Sequence, residues 1–333
     1  MSNETTPTKK MYNDRPIKVM GIGNHGRNAV NSMIRRTTVG LDFICAHTNP
    51  WFPISFAYKD IHLDAANRVD NTRKHGKDAA EITAEAIKTA IDGAYILFII
   101  TRLGDCTGGG AATMAARIAK AMGILAVVVV TKPFEFERSQ RLAHASEGLA
   151  ELQAHTDTLI VVSNKVWLKS RDEGVSQRQS LDHVIEVGKN VVKGFGKKLG
   201  NDEVIGVSFE EVLMVLRKPG ISAVGMAGAS GPNRASVASH QATVWMLEHL
   251  GPFESEAQSL LELSKAKGLL VLITAPKNSL KLAESKLVVN NIQVYAGQDA
   301  QVVFCALYDE ALGDGLRVMV VATGLYTSHI EQK

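Results

Sequence analysis

Two glycine-rich turns contain the residues of this 333-residue chain that are best suited to bind a charged ligand. The turns cover residues 21–28 and 104–112, and each follows a short apolar segment and leads into a helical pattern. Backbone N–H groups and the dipole at a helix N-terminus both favour negative charge, and two such turns at one sheet edge suit a polyphosphate. The candidate phosphate-binding residues are Gly23, Asn24, His25, Gly26, Arg27 and Asn28 in the first turn and Gly104, Thr107, Gly108 and Gly109 in the second.

The spacing of the glycines, together with the residues that follow them, distinguishes a dinucleotide site from other phosphate-binding sites. Gly21, Gly23 and Gly26 have the G-x-G-x-x-G spacing of a dinucleotide-binding turn. Such a site also needs an acidic residue about 20 residues later, and the next apolar segment here ends in His-Thr-Asn at residues 47–49. Phosphate binding is therefore favoured over NAD binding, and the other alternative is that the glycines only allow close packing of strand and helix. The Lys-Ser/Thr ending of a P-loop is missing, which excludes that class.

Short apolar segments alternate with helical patterns up to residue 162, which is typical of a parallel sheet covered by helices. The predicted strands there are residues 17–21, 43–47, 94–100, 124–130 and 158–162, and the predicted helices are residues 28–36, 78–91, 113–122 and 138–155. A long helix is predicted at residues 180–199. Beyond it, the predicted strands are residues 223–229, 269–274, 302–308 and 316–322, with helices at residues 210–217, 236–250 and 280–295.

The predicted fold class is α/β, with a doubly wound parallel-sheet domain, a long central helix and a smaller α+β C-terminal domain. The predicted boundaries are a flexible tail at residues 1–14, the nucleotide-binding domain at 15–178, the central helix at 179–200, the C-terminal domain at 201–325 and a short tail at 326–333.

The composition excludes several classes of protein. Apolar residues make up 45% and charged residues 21%, which is ordinary for a globular chain. The net charge of +3 is too small to indicate a nucleic-acid partner. Cys45, Cys106 and Cys305 are far apart, so neither a disulfide framework nor a zinc site is expected. The first ten residues lack the apolar core of a signal peptide, and no apolar run approaches the ~20 residues of a membrane span. We expect a cytoplasmic protein.

Longer motifs follow the two turns. Residues 129–141 read Val-Val-Thr-Lys-Pro-Phe-Glu-Phe-Glu-Arg-Ser-Gln-Arg, and residues 317–324 read Arg-Val-Met-Val-Val-Ala-Thr-Gly. Together with residues 157–164, 228–235 and 307–314, they resemble the tubulin/FtsZ superfamily, and more closely the FtsZ family of bacterial division GTPases. The resemblance is collinear over about residues 17–325.

This resemblance implies GTP or GDP as the ligand and allows Mg²⁺ with GTP. Glu137 and Arg141 match a pair that contacts the ribose and phosphate region, and the alternative is a surface ion pair worth only ~0.3–0.5 kcal/mol. Asn190, on the central helix, matches a position that binds guanine, and the alternative is a solvated amide.

The catalytic loop departs from the family. Family filaments grow head to tail, and the next subunit inserts an Asn-x-Asp-x-x-Asp loop whose acids polarise the attacking water. The matching residues are Gly206, Ser208 and Glu211. Ser208 lacks a carboxylate, and the extra methylene of Glu211 moves its carboxylate by roughly an ångström. A general base contributes ~10²–10⁴-fold, so we expect weak or absent hydrolysis from this degenerate loop, which acts on the neighbouring subunit. A solvated, acidic helix start is the alternative.

Other departures affect the phosphate turns and the chain end. His25 and Arg27 replace glycines and could supply charge to phosphate, whereas Asp105 would repel phosphate unless it faces a magnesium ion or points away. The basic residues 73–77 could sense a γ-phosphate or be solvated surface. The sequence ends at Lys333, without the linker and terminal peptide of FtsZ, which favours a divergent paralogue.

The sequence therefore predicts an FtsZ-like protein that binds guanine nucleotide and assembles head to tail with copies of itself into cytoskeletal filaments. One alternative is an active, polymerisation-coupled GTPase that uses Glu211, and another is a non-polymerising regulator of another FtsZ. A membrane-tethering adaptor or another FtsZ is the further expected partner. Nucleic acid, direct membrane insertion and a resident metal ion are not expected.

Overall fold

The computed structural model describes residues 16–36, 41–48, 59–63, 81–162, 209–250 and 256–325. The strands are β1 (Ile17–Ile22), β2 (Leu41–His47), β3 (Lys59–His62), β4 (Ile96–Arg102), β5 (Leu125–Thr131), β6 (Thr158–Val162), β7 (Ile221–Ala229), β8 (Gly268–Ala275), β9 (Gln301–Tyr308) and β10 (Leu316–Leu325). The helices are α1 (Gly23–Arg36), α2 (Ala84–Ile91), α3 (Cys106–Ala121), α4 (Ser139–His155), α5 (Phe209–Leu216), α6 (Arg234–His249), α7 (Glu256–Leu263) and α8 (Leu282–Gln293), and Glu310–Leu312 forms a 3₁₀ turn.

The described strands form one ten-stranded sheet in the order β3-β2-β1-β4-β5-β6-β7-β10-β8-β9. Only β10, among these strands, runs antiparallel to its neighbours β7 and β8. The strand order reverses between β1 and β4, which pair in parallel. In an open α/β sheet, ligands bind outside the carboxyl ends of the strands at such a switch point. The topology therefore places a binding crevice beyond β1 and β4.

The strands near that switch point are buried on both faces. In β4, Phe98 belongs to the core that contains α1 and α5, whereas Leu97 and Ile99 belong to the core that contains α2, α3 and α4. Burial on both faces explains why β4 and β5 read as continuous apolar runs instead of alternating patterns. A third core lies between α6, α7, α8 and the C-terminal strands.

The N-terminal and C-terminal halves of the sheet meet at β6 and β7. Only two residue pairs join these strands, Leu159 with Ile221 and Ile160 with Ser222. Helix α5 strengthens the junction, because the Thr158 hydroxyl donates to the Leu216 carbonyl oxygen at 2.6 Å. The core beside α1 also continues past α5 into the C-terminal strands.

Most predicted strands and helices occur with shifted ends. The helices predicted at residues 28–36 and 113–122 begin earlier, at Gly23 and Cys106, because each glycine turn is itself the first turn of the helix. Strand β3 and helix α7 were not predicted, since four residues and eight residues give little periodicity. The predicted central helix and the basic residues 73–77 lie outside the described residues. None of the described helices has the length and apolar character that crossing a membrane requires.

Candidate nucleotide-binding site

A cavity of about 1010 Å³ opens at the carboxyl ends of β1, β2 and β4. Its walls are the first turns of α1 and α3, together with the segment before α4 and the start of that helix. This location is the switch point of the sheet, where a ligand site is expected. The cavity is large enough for a small-molecule ligand of nucleotide size.

The structure brings most of the predicted site residues together around this cavity. The predicted residues that line it are Gly23, Asn24, His25, Gly104, Thr107, Gly108, Glu137 and Arg141. Gly26, Arg27, Asn28 and Gly109 are described but do not line it. Asn190 and Ser208 lie outside the described residues.

Gly26 positions the first turn by close packing. A Cβ atom on Gly26 would lie 2.2 Å from the Ile100 carbonyl oxygen in β4. A Cβ atom on Gly21 would lie 2.2 Å from the Gly26 carbonyl oxygen. Real Cβ atoms cannot come this close to backbone atoms, so only glycine allows α1 to start directly against β1 and β4. This packing brings the N-terminal N–H groups of α1 to the cavity.

The second turn is held against β4 and α4 in the same way. A Cβ atom on Gly108 would lie 2.2 Å from the Arg102 carbonyl oxygen, and one on Gly104 would lie 2.8 Å from the Arg141 carbonyl oxygen. Gly104 also has a φ of +87°, in the left-handed region that favours glycine. Thr107, at the start of α3, shares a hydrogen bond with Thr48 between their hydroxyl oxygens, 3.1 Å apart.

Glu137 is the centre of a charged network on the cavity wall. Its carboxylate accepts a hydrogen bond of 2.7 Å from the Phe134 N–H and another of 2.7 Å from the Arg141 Nη1. It also accepts one from Arg102, and Arg141 in turn donates to Asp105. Burial alone would raise the pKa of Glu137, but the Phe134 N–H and the two guanidinium groups outweigh it and hold that pKa below its usual range.

Arg102 is a site residue that the sequence analysis missed. It is the last residue of β4, lines the cavity and pairs with Glu137. The available signal was a basic residue at the end of an otherwise apolar strand, directly before the second glycine turn. Glu137 and Arg141 are therefore not an isolated surface ion pair, the alternative considered for them, because they belong to a larger, half-buried network.

The lowered pKa of His25 argues against the expectation that it could supply positive charge to phosphate. Burial, together with the nearby Arg102 guanidinium, lowers its pKa to about 4, although the Asp105 carboxylate acts in the opposite direction. Its Nε2 atom is buried and has no hydrogen-bond partner. A neutral imidazole can still donate or accept one hydrogen bond to a ligand in the cavity.

One cavity-lining histidine contacts a carboxylate that the sequence spacing did not indicate. His47 lines the cavity and is buried, and its Nε2 atom lies 3.1 Å from the Asp60 Oδ2 atom in β3. The strands β2 and β3 pair in parallel, which brings these side chains together. This contact fixes the orientation of the His47 ring.

Glu211 lies away from this cavity. It is on α5, whose last residue Leu216 bonds to Thr158 at the amino end of β6, the opposite edge of the parallel strands. Burial raises the pKa of the Cys305 thiol to about 12, and the Glu211 carboxylate adds to this shift, which places Glu211 near β9. Glu211 therefore does not line the cavity of its own chain.

The residues around the cavity fit a nucleotide better than a directly bound metal ion. Two helix N-termini point their N–H groups at it, which suits phosphate oxygens. The carboxylates of Asp105 and Glu137 are both engaged by arginine. Mg²⁺ at this site would therefore be held mainly by the nucleotide phosphates, whose charge it would neutralise.

Comparisons with known proteins agree with this fold. Residues 62–172 match the Tubulin/FtsZ family, GTPase domain, and residues 220–326 match the FtsZ family, C-terminal domain. The chain is 34% identical to the cell division protein FtsZ of Wigglesworthia glossinidia brevipalpis over 326 residues, which are 95% of this chain and 81% of that protein. It is also 34% identical to the cell division protein FtsZ of Neisseria meningitidis serogroup B over 316 residues, 93% of this chain and 78% of that protein.

Solved structures show the same architecture. A structure of the FtsZ dimer of M. jannaschii has a TM-score of 0.81 and 27% identity, and the match covers 98% of this chain and 100% of that one. CetZ2 from Haloferax volcanii, at 20% identity and a TM-score of 0.71, shares the fold over 94% of each chain. The glycine turns, the topology and these matches together show that the chain belongs to the FtsZ family of the tubulin/FtsZ superfamily.

Proposed function

We propose that this protein binds guanine nucleotide in the cavity at the β1–β4 switch point and assembles head to tail into filaments, with weak GTP hydrolysis. The observation that carries the proposal is the convergence of two helix N-termini on one cavity. The first N–H groups of a helix have no partners within the helix and, with the helix dipole, favour phosphate. Membership of a family with a GTPase domain supports guanine as the base.

The position of Glu211 supports head-to-tail assembly. Because α5 ends at the edge opposite the cavity, a stack of subunits would bring Glu211 of one subunit towards the cavity of the next. The related M. jannaschii FtsZ is described as a dimer, which supports self-association. We therefore propose a homopolymer in which each nucleotide lies between two subunits.

The altered loop supports weak hydrolysis. Phosphoryl transfer depends on positioned charge, and Ser208 cannot act as a carboxylate beside Glu211. The loss of a general base costs typically ~10²–10⁴-fold. Slow hydrolysis would leave GTP in place for longer and would make the filaments persistent. We further propose the cytoplasm as the location and a membrane adaptor or another FtsZ as a second partner.

High-speed sedimentation of the purified protein with GTP, with GDP and without nucleotide tests this function. We expect GTP-dependent pelleting and slow phosphate release. If nothing pellets at tens of micromolar while nucleotide binds, the regulator of another FtsZ becomes the better account. If phosphate release is rapid and rises with protein concentration, the active GTPase that uses Glu211 is correct.

Two serine variants isolate the role of the loop. Ser208→Asp restores the missing acid, and we expect it to accelerate phosphate release. Ser236→Asp is the control, because Ser236 is an exposed serine in the first turn of α6 and does not line the cavity. Unchanged hydrolysis by S208D, with filaments still forming, would show that the lost acid does not limit the reaction.

A further inference from the structure

The side chain of Asp105 does not cap α3, although Asp105 lies at the start of that helix. It is the N-cap residue of that helix, where a carboxylate usually accepts a hydrogen bond from the helix N–H groups. Here the side chain makes no such bond, and its Oδ1 atom instead accepts from the Arg141 Nη2 atom on α4. The carboxylate therefore bridges the second glycine turn and a guanidinium group that also lines the cavity.

The Asp105–Arg141 pair is the accessible part of the charged network. The side chains of Asp105 and Arg141 are 37% and 43% exposed, whereas those of Arg102 and Glu137 are 15% and 11% exposed. Solvent weakens exposed ion pairs much more than buried ones. Arg141 can therefore exchange Asp105 for another anion in the cavity, while Glu137 still binds it through its other nitrogen, Nη1.

The backbone keeps Asp105 and Arg141 close. Gly104 precedes Asp105 and lies so near α4 that an added Cβ atom would be 2.8 Å from the Arg141 carbonyl oxygen. The turn and the helix are thus in direct contact. Asp105 cannot move far from the guanidinium without a change in this packing, so its negative charge stays at the phosphate side of the cavity.

We propose that Asp105 is an internal anion that competes with nucleotide phosphate for Arg141. This inference rests on the proposed function and adds a residue that sets the affinity for phosphate. Guanidinium groups bind carboxylate and phosphate with the same two-pronged geometry, so either anion can occupy Arg141. A bound phosphate must displace the Asp105 carboxylate from Arg141, and the displaced carboxylate then repels it. The penalty therefore increases with the number of phosphates on the ligand.

The test compares binding of GTP, GDP and guanosine by calorimetry at low salt without Mg²⁺. We expect Asp105→Asn to bind GTP about two- to fivefold more tightly than the unaltered chain, GDP less so and guanosine equally. Glu85→Gln is the matched control, because it removes one acid from the exposed Glu85–Lys88 pair on α2, away from the cavity. It should leave all three affinities unchanged.

An Arg141→Gln background separates competition from simple repulsion. If Asp105 competes for Arg141, the gain from D105N should shrink once Arg141 is absent. An undiminished gain would show that Asp105 acts only through its charge and would overturn the competition. Weaker GTP binding by D105N would also overturn it. If the calorimetry is repeated with Mg²⁺ and D105N loses affinity only there, Asp105 acts on the metal ion instead.

Inorganic tripolyphosphate distinguishes this inference from the proposed function. If the chain fails to bind GTP and GDP but D105N binds tripolyphosphate more tightly than the unaltered chain, the role of Asp105 stands and guanine nucleotide is wrong. If guanine nucleotides bind and D105N changes neither them nor tripolyphosphate, the nucleotide function stands and the role of Asp105 is wrong. If neither protein binds any of these ligands, both are wrong.

Discussion

Arg102 and Glu137 form an ion pair that joins the end of β4 to the segment before α4. Both side chains are largely buried, and the same carboxylate also accepts a hydrogen bond from the Phe134 N–H. The pair therefore fixes the position of the wall that contains Arg141. A site that binds a highly charged ligand must hold its own charged groups in place before the ligand arrives.

Removing the carboxylate of this pair should destabilise the fold. Glu137→Ala leaves Arg102 without its counter-charge in a largely buried position, and breaking such a pair costs about 3 kcal/mol. Glu85→Gln breaks an exposed pair and should cost less than about 0.5 kcal/mol. Urea unfolding of both variants gives the comparison. Equal, small losses would mean that solvent screens the Arg102–Glu137 pair.

Gly26→Ala should prevent normal packing of α1, because the added methyl group would overlap the Ile100 carbonyl oxygen. We expect loss of nucleotide binding together with a large loss of stability. Gly93→Ala is the control. Gly93 has a φ of +74°, which favours glycine, but an added Cβ atom there would have nothing within 4 Å. Its cost should be about 1 kcal/mol, with binding retained. Circular dichroism and nucleotide calorimetry on the two variants would measure both effects, and similar behaviour would contradict the packing role of Gly26.

The hydrogen bond between Thr158 and the end of α5 should stabilise the junction between the sheet halves. Thr158→Val keeps the shape of the side chain but leaves the Leu216 carbonyl oxygen without this partner. Leaving a buried acceptor unsatisfied costs about 1–3 kcal/mol. Thr89→Val removes a similar bond to the Glu85 carbonyl oxygen on an exposed helix face and should cost much less. Thermal unfolding should show this difference, and its absence would mean that the junction does not depend on Thr158.

His25 should make stability depend on pH. Its pKa is about 4 in the folded chain and 6.5 in the unfolded chain, so the unfolded chain binds the proton first as the pH falls. The contribution is complete above pH 6.5 and is lost as the pH falls towards 4. By pH 4.5 the loss should reach about 2 kcal/mol.

The comparison with His25→Asn isolates this effect from the other titrating groups. Between pH 7 and pH 4.5, the free energy of unfolding of the variant should fall less steeply than that of the unaltered chain. Lowered pKa values of Glu137 and Glu284 contribute below this range, where their carboxylates become protonated. Parallel pH profiles for the two proteins would show that His25 is protonated without cost in the folded chain.

Phe136 should contribute to assembly. Its side chain is 69% exposed at the rim of the cavity and stacks on Phe134 with ring centroids 5.0 Å apart. An aromatic group at this position would be buried if a neighbouring subunit covers the cavity, so Phe136→Ser should reduce pelleting with GTP. Leu261→Ser, on the outer surface of α7 and 60% exposed, is the control. Equal pelleting of both variants and the unaltered chain would place the interface elsewhere.

The sequence by itself predicts the features that depend on neighbouring residues. Strand β5 reads as an apolar run because all seven of its residues are buried. The two glycine turns are recognisable because the backbone contacts that exclude a Cβ atom leave glycine at fixed spacing. The starts of α1 and α3 were predicted too late, since glycine has low helix propensity and the stabilising contacts there come from β1 and β4.

Only the tertiary structure decides which distant side chains meet at the cavity. Arg102 lies 35 residues from Glu137, and Asp105 lies 36 residues from Arg141. Neither distance corresponds to a helix or strand period, so no local pattern could pair them. The parallel order of the strands brings these positions to one sheet edge, while the end of α5 contacts β6 at the other. The order of the strands decides which charged side chains become partners, and residue spacing does not encode that order.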